Sequence, residues 1–287
     1  MMLLFTRRWR EESRSLLSWI LTISIVTYLA LLLSMLFVNT EEIARVFTEW
    51  MSKAPPVLRS MVGGDMLIFS NPGSFVAGMV FNTILPALVL VYVCLSAISI
   101  YSNEADHGNL EFLFSLPINR LHLVVGRILV FLGNLAIVHV AIFISAFASM
   151  ITVGEAVAPA RLALGMYNQY LLFAAIGGLV FLFSLAVKER NKVLLISLAA
   201  FFGLFVMNIF METKQQLPDL LRLAAGVLQG GESPSQHLFS LFNPYYYYNA
   251  AQILTQGLMP WWNGAVLAAF TLIFWGWGSR VYVRKQV

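Results

Sequence analysis

Long apolar segments alternate with shorter polar ones along the 287-residue chain. Six of the apolar segments are long enough to cross the hydrocarbon core of a bilayer, which takes about 20 residues of helix. These segments are residues 16–38, 75–102, 121–153, 162–187, 193–211 and 261–279. The sequence shows no internal repeat and no linker that would divide it. The pattern therefore predicts an all-α, polytopic membrane protein with six transmembrane helices in a single domain, 1–287.

Charged side chains lie mainly at the ends of these segments. Hydrophobic residues make up 59% of the chain and charged residues only 11%, a balance typical of a membrane protein rather than a globular one. If both termini face the cytoplasm, 12 of the 18 Lys and Arg residues lie on that side. This excess agrees with the positive-inside rule. We therefore expect a multi-pass plasma-membrane protein with cytoplasmic N- and C-termini. The net charge of +4 then reflects topology, and no nucleic-acid partner is predicted.

Two regions outside the spans carry an amphipathic pattern. Residues 1–15 are basic and semi-apolar, which favours an interfacial helix ahead of the first span over a frayed positive tail. Residues 212–260 contain an amphipathic piece, a Gly and Pro break, and a second semi-apolar piece with Asn243, Pro244 and four consecutive tyrosines. We expect this region to be extracellular and interfacial or re-entrant. The alternative is a plain extracellular cap with an aromatic belt.

The cytoplasmic loop 103–120 has an internal order of its own. Gly108 can end one helix in a left-handed conformation, and Asn109 can cap the start of the next. Pro117 then ends this short helix, because proline cannot donate the next backbone hydrogen bond. Three apolar side chains fall on one helical face, namely Leu110, Leu113 and Phe114. The loop therefore predicts a short amphipathic helix beside the ends of two spans, with its apolar side open to a partner.

The same loop resembles the corresponding loop of ABC-2 type transporter permeases, whose pattern is typical of membrane subunits with an ABCG/ABCA-like exporter fold. The residues that carry the resemblance are Glu104, Gly108, Asn109, Leu110, Glu111, Leu116, Pro117, Ile118, Arg120, Gly126 and Arg127. This chain has Asn109, Asn119 and Arg127 where the family has Thr, Ser and Lys, and each exchange keeps the capping or charge role. The six-span layout extends the resemblance to nearly the full length, and re-entrant helices between the last two spans are known in ABCG-like members.

The resemblance implies the function and the partners. The chain would be the permease subunit of an exporter for a hydrophobic or amphipathic substrate, and would not itself be an enzyme. Two ABC ATPase subunits would bind ATP and Mg, and a second permease copy or a homologue would complete the pathway. The loop would be the coupling helix that docks on the ATPase. The residues expected to form it are Glu104, Gly108, Asn109, Leu110, Glu111, Leu113, Phe114, Pro117 and Arg120.

Several kinds of catalytic and coupling chemistry are missing from the sequence. It contains no G-x-x-x-x-G-K-[ST] phosphate loop, no H-E-x-x-H metal motif and no G-x-S-x-G nucleophile motif. No cofactor or metal is therefore expected on this chain. No span has Asp, Glu, Lys or Arg in its middle, and carriers driven by ions or protons generally need such groups at membrane depth. This pattern favours energy supplied from outside the membrane.

Uncharged polar residues do occur within the spans: Asn82, Thr83, Asn134, His139, Asn168, Gln169 and Asn208. Four of them, Asn82, Asn134, His139 and Asn208, are the candidates for a substrate pathway. The alternative for each is an interhelical hydrogen bond worth about 1 kcal/mol or less. Two other functions remain open, a non-transporting scaffold or sensor with the permease fold and an integral membrane enzyme.

Overall fold

The computed structural model describes eleven stretches of the chain. They are residues 2–38, 45–46, 49, 53, 80–101, 120–153, 158–187, 189–214, 241–248, 253–254 and 257–284. Regular structure in these stretches is entirely helical. The elements are α1 (Met2–Val38), a π-helical turn (Val80–Ile84), α2 (Leu85–Ser99), α3 (Arg120–Val153), α4 (Pro159–Ala186), α5 (Arg190–Lys214), a 3-10 turn (Pro244–Tyr247) and α6 (Trp261–Arg284).

By length and hydropathy, six helices in these stretches can cross a membrane. This confirms, for the described residues, the prediction of a helical protein with six segments long and apolar enough to span a membrane, which fits a multi-pass membrane protein. α1 is 37 residues long and thus measures about 55 Å, so it extends well past a hydrocarbon core of about 30 Å. Its first residues continue the same helix as the first span. The interfacial placement of residues 1–15 stays a prediction.

The start of the second span changes helix type. The π-helical turn Val80–Ile84 passes into regular α-helix at Leu85, and Pro86 is the second residue of that helix. Proline has no N–H to donate to the carbonyl four residues earlier, so the regular hydrogen-bond ladder is interrupted at this point. Pro86 therefore coincides with a change from π-helix to α-helix.

Contacts at the two ends of the bundle show how the helices alternate in direction. Arg127, near the start of α3, contacts Ile100 at the end of α2. The neighbouring Tyr101 packs edge-on against Tyr282, near the end of α6. We call this the Arg127 end. At the opposite end, which we call the Tyr248 end, Tyr248 contacts the π-helical turn that precedes α2.

α1 packs along α3 on one side of the bundle. The Ser149 hydroxyl of α3 donates to the Tyr28 carbonyl oxygen of α1 at 3.3 Å, and the Tyr28 hydroxyl lies 3.4 Å from the Thr152 hydroxyl. The buried face of α1 repeats every fourth residue, at Ile23, Thr27 and Leu31. The opposite face exposes a second apolar stripe, formed by Leu17, Leu21, Ile25, Leu29 and Leu33. Such a stripe suits contact with lipid chains.

α4 is the central helix of the bundle. Of its most apolar stretch 72% is buried within the protein, against 17% in α1 and in α5. α6 approaches it closely because Gly178 has no side chain, and a Cβ there would lie 2.9 Å from the Phe274 Cβ. The Trp275 indole N–H of α6 donates to the Ala174 carbonyl oxygen at 2.9 Å. α4 therefore holds the interior positions at which polar groups are shielded from lipid and water.

Candidate functional site

The predicted coupling loop falls almost wholly outside the residues that the structure describes. Eight of its nine predicted docking residues lie there: Glu104, Gly108, Asn109, Leu110, Glu111, Leu113, Phe114 and Pro117. The ninth, Arg120, is the first residue of α3 and is half-buried. The assignment of these residues stays a prediction, and the structure informs it only through the two helices that flank the loop.

Those flanking helices are joined directly. The Arg127 guanidinium of α3 donates from Nη1 to the Ile100 carbonyl oxygen, just past the last residue of α2, at 2.9 Å. Carbonyl groups at a helix C-terminus lack partners within the helix and carry partial negative charge, so a guanidinium is a favourable donor to them. The contact ties together the two helices between which residues 102–119 run.

The Arg127 end also carries most of the described basic side chains. Arg190, Lys192, Arg280 and Arg284 lie near helix termini on this end, and Arg14 lies in the first half of α1. One exposed ion pair accompanies them, Lys192 with Glu189 at 2.7 Å, and such a pair contributes little to stability. This end therefore has the charge that suits a phospholipid headgroup region or an acidic partner.

The four predicted pathway residues lie at different levels of the bundle. Asn82 is in the π-helical turn at the Tyr248 end, and Asn208 is near the end of α5. Asn134 is half-buried in the middle of α3. His139 is buried one turn further along α3, with Nδ1 2.8 Å from the Leu135 carbonyl oxygen and its ring edge-on to Tyr170 of α4 at 5.8 Å. The structure brings His139 into the interior.

Residues 241–248 dock into the Tyr248 end of the bundle. Asn243 shapes this segment, because its Oδ1 accepts a hydrogen bond from the Tyr245 backbone N–H at 3.1 Å and so starts the 3-10 turn. Its Nδ2 donates to the Leu204 carbonyl oxygen of α5 at 3.1 Å. Both ends of the buried Asn243 amide are therefore paired, one within the segment and one to a neighbouring helix.

Three tyrosines spread the segment's contacts over the other helices. The Tyr248 hydroxyl donates to the Phe81 carbonyl oxygen of the π-helical turn at 2.6 Å. The Tyr247 carbonyl oxygen accepts from Asn168 Nδ2 of α4 at 3.3 Å, and the Tyr247 ring lies 6.0 Å from that of Trp262 at the start of α6. The Tyr245 ring packs against Phe205 of α5 at 5.7 Å. One short segment thus contacts four of the spans.

Burial keeps these hydroxyl groups protonated. It raises the pKa of Tyr248 and of Tyr245 above the usual value of about 10, because a phenolate loses its hydration inside the protein, and a nearby Tyr or Cys adds to the effect. Tyr248 therefore remains a hydrogen-bond donor to Phe81 throughout the physiological pH range.

Three buried amides near this segment are incompletely paired. Gln169 of α4 is fully buried, and neither Oε1 nor Nε2 has a hydrogen-bond partner among the described residues. The same holds for Oδ1 of Asn168, the preceding residue, and for Oδ1 of Asn263 in the first turn of α6. Asn168 and Gln169 were recognised in the sequence as polar residues within a span, but they were not among the four candidates for a substrate pathway. Two adjacent amides on an otherwise apolar segment are the sequence feature that could have marked them as candidates.

The described residues contain no group of His, Cys, Asp and Glu side chains suited to hold a metal ion. Comparison with protein-family models gives no match to this chain. Comparison with curated proteins gives no relative of significant similarity.

Proposed function

We propose that this chain is the membrane-spanning permease subunit of an ABC-2 type transporter, with residues 103–120 as its coupling helix. The observation that carries the proposal is the loop's residue pattern, from Glu104 to Arg127, set between two spans. The hydrogen bond from Arg127 to Ile100 supports it, because it couples the ends of the two spans that the loop joins. A movement of the loop caused by the ATPase would then be transmitted to both helices.

The cytoplasm lies at the Arg127 end in this proposal. The basic termini at this end agree with the positive-inside rule. The Tyr248 end is then extracellular, and residues 212–260 form a re-entrant or interfacial region in which 241–248 is the part docked among the spans. Exposed apolar side chains at this end, namely Leu241, Phe242, Leu258 and Trp261, suit the membrane interface.

Energy comes from two ABC ATPase subunits, which bind ATP and Mg, and a second permease copy or homologue completes the pathway. The absence of ionisable residues from the middle of the spans favours this arrangement over a proton- or ion-driven carrier. The apolar interior favours hydrophobic or amphipathic cargo, moved outward.

Purification from native membranes tests the proposal. The tagged chain should bring down a nucleotide-binding subunit in a ratio of one ATPase per permease, with two of each in the complex. The preparation should hydrolyse ATP, and reconstituted vesicles should move an amphipathic solute only when ATP is supplied. Copies of the chain that carry no ATPase and no ATP-dependent transport would favour the scaffold or sensor instead.

A further inference from the structure

The buried amides of Asn168, Gln169 and Asn263 are incompletely paired among the described residues, as is the buried hydroxyl of Ser197 on α5. The buried hydroxyls of Thr27, Ser184 and Ser279 each donate to a carbonyl oxygen of their own helix. Buried polar atoms in folded proteins nearly always have a partner, and those that lack one call for a bound molecule or another explanation. Four amide atoms of Asn168, Gln169 and Asn263, three oxygens and one nitrogen, lack a partner among the described residues, and a bound molecule would supply one.

Gln169 lies well within α4. It is ten residues, or about 15 Å, from the start of that helix, and its side chain is fully buried. One helical turn further along the same face is Phe173, whose ring lies 6.3 Å from that of His139. The buried Nε2 of His139 also lacks a partner among the described residues.

The other two amides adjoin the docked segment. Asn168 holds the Tyr247 carbonyl oxygen, and Asn263 follows Trp262, whose ring packs edge-on against Tyr247. Asn168 therefore contacts Tyr247, and Asn263 directly follows a residue that does. The two helices approach each other at this level, since a Cβ added at Gly264 of α6 would lie 3.7 Å from Leu171 Cδ1 of α4.

We propose that the amides of Asn168, Gln169 and Asn263, which we call the amide site, bind the uncharged amide head group of an amphipathic molecule. Gln169 offers a donor and an acceptor side by side, which match the C=O and N–H of an amide. The oxygens of Asn168 and Asn263 accept further N–H groups. The proposal rests on the proposed function, since it names the class of cargo, but it can be tested without an ATPase.

A charged head group fits the amide site poorly. The middle of the spans has no Asp, Glu, Lys or Arg to pair with it, and burying an unpaired charge costs far more than burying an amide. The rings of Tyr247, Trp262 and Phe173 instead offer apolar contact for the rest of the molecule. An uncharged head on an apolar tail meets both conditions.

Binding can be measured with the chain alone in lipid nanodiscs. Three twelve-carbon probes differ only in the head group: dodecanamide, dodecylammonium and dodecanoate. Saturation-transfer NMR and tryptophan fluorescence report binding. The variants are Gln169→Met, which keeps the side-chain length, and Asn263→Leu on α6. Thr27→Val is the matched control, because Thr27 is equally buried but its hydroxyl bonds within its own helix.

The wild-type chain should bind dodecanamide saturably and the two charged probes more weakly. Gln169→Met and Asn263→Leu should each weaken dodecanamide binding about tenfold, and Thr27→Val should not. Without a probe, Gln169→Met should melt at or above the wild-type temperature, because it removes unpaired buried atoms. Equal binding by Gln169→Met and wild type, equal binding of the three probes, or no saturable binding at all would overturn the amide site. None of these results bears on whether an ATPase docks at the other end.

Discussion

Arg127 of α3 donates a hydrogen bond to the carbonyl oxygen of Ile100, just beyond the last turn of α2, at 2.9 Å. The two residues are 27 positions apart, and the predicted coupling loop runs between them. A charged donor on a helix-terminal carbonyl makes this a strong contact. The contact therefore joins the two spans between which the predicted coupling loop runs.

Replacing Arg127 with Met should destabilise the protein. The variant keeps most of the apolar stem but leaves the Ile100 carbonyl oxygen without its donor, at a cost of about 1–3 kcal/mol. Thermal unfolding in nanodiscs measures this loss. Arg190→Met is the control, since Arg190 is exposed at the start of α5. Equal melting temperatures for the two variants would show that the bond to Ile100 contributes nothing.

Replacing Tyr248 with Phe should loosen the Tyr248 end. It removes the 2.6 Å hydrogen bond to the Phe81 carbonyl oxygen and should cost about 1–2 kcal/mol. Hydrogen exchange should rise in residues 241–248 and in the π-helical turn, but not at the Arg127 end. Tyr246→Phe serves as the control, because Tyr246 is about half exposed. Unchanged exchange in Tyr248→Phe would mean that ring packing alone holds the segment.

The same contact predicts a loss of stability in alkali. The folded protein raises the pKa of Tyr248 above the unfolded value of about 10, so the protonated hydroxyl favours folding. This contribution is fully present below pH 10 and declines as the pH rises further toward the folded pKa. Melting temperatures between pH 9 and pH 11 should fall more steeply for wild type than for Tyr248→Phe. Parallel curves would contradict the burial of this hydroxyl.

Close packing of α4 against α6 predicts different effects for two glycines. Gly178→Ala places a Cβ 2.9 Å from the Phe274 Cβ and should cost about 1–3 kcal/mol through overpacking. Gly203→Ala on α5 meets no atom within 4 Å and should be neutral or stabilise by up to about 1 kcal/mol, because alanine favours helix. The free energies of unfolding of Gly178→Ala and Gly203→Ala, each compared with wild type, test this difference. A neutral Gly178→Ala would mean that α6 can move away from α4 at little cost.

The positions of the spans followed closely from hydropathy. The fourth apolar segment was predicted at 162–187 and is Pro159–Ala186, and the third was predicted at 121–153 and is Arg120–Val153. A stretch without charges ends where the first charged or helix-breaking residue enters the interface, so its limits can be read from the sequence. The last span was predicted to end at 279 but continues to Arg284, because the basic final turn keeps helical geometry outside the apolar region.

The residues of the amide site could not be predicted from hydropathy in this way. α4 is apolar around its whole circumference, so no periodicity shows which face is buried. The partners of Asn243 and Tyr248 are backbone carbonyl groups, those of Leu204 and Phe81, which leave no trace in side-chain patterns. Polarity alone singled out His139 but could not separate Gln169 from a residue with a paired amide.

The proposed permease function requires that an ATPase docks on residues 103–120. If Leu113 and Phe114 are interface anchors, changing both to Ala removes about 2 kcal/mol or more each from the binding free energy. The control is the double variant Leu195→Ala and Phe202→Ala, which removes the same two side-chain types from the exposed face of α5.

The deciding measurement is the amount of ATPase that each permease variant brings down from membranes at equal expression. We expect that Leu113→Ala/Phe114→Ala loses ATPase binding and transport while its melting temperature stays at the wild-type value, and that the α5 control retains both. Wild-type ATPase binding and transport in the Leu113→Ala/Phe114→Ala variant would contradict the coupling-helix assignment and, with it, the assignment of this chain as an ABC-2 permease.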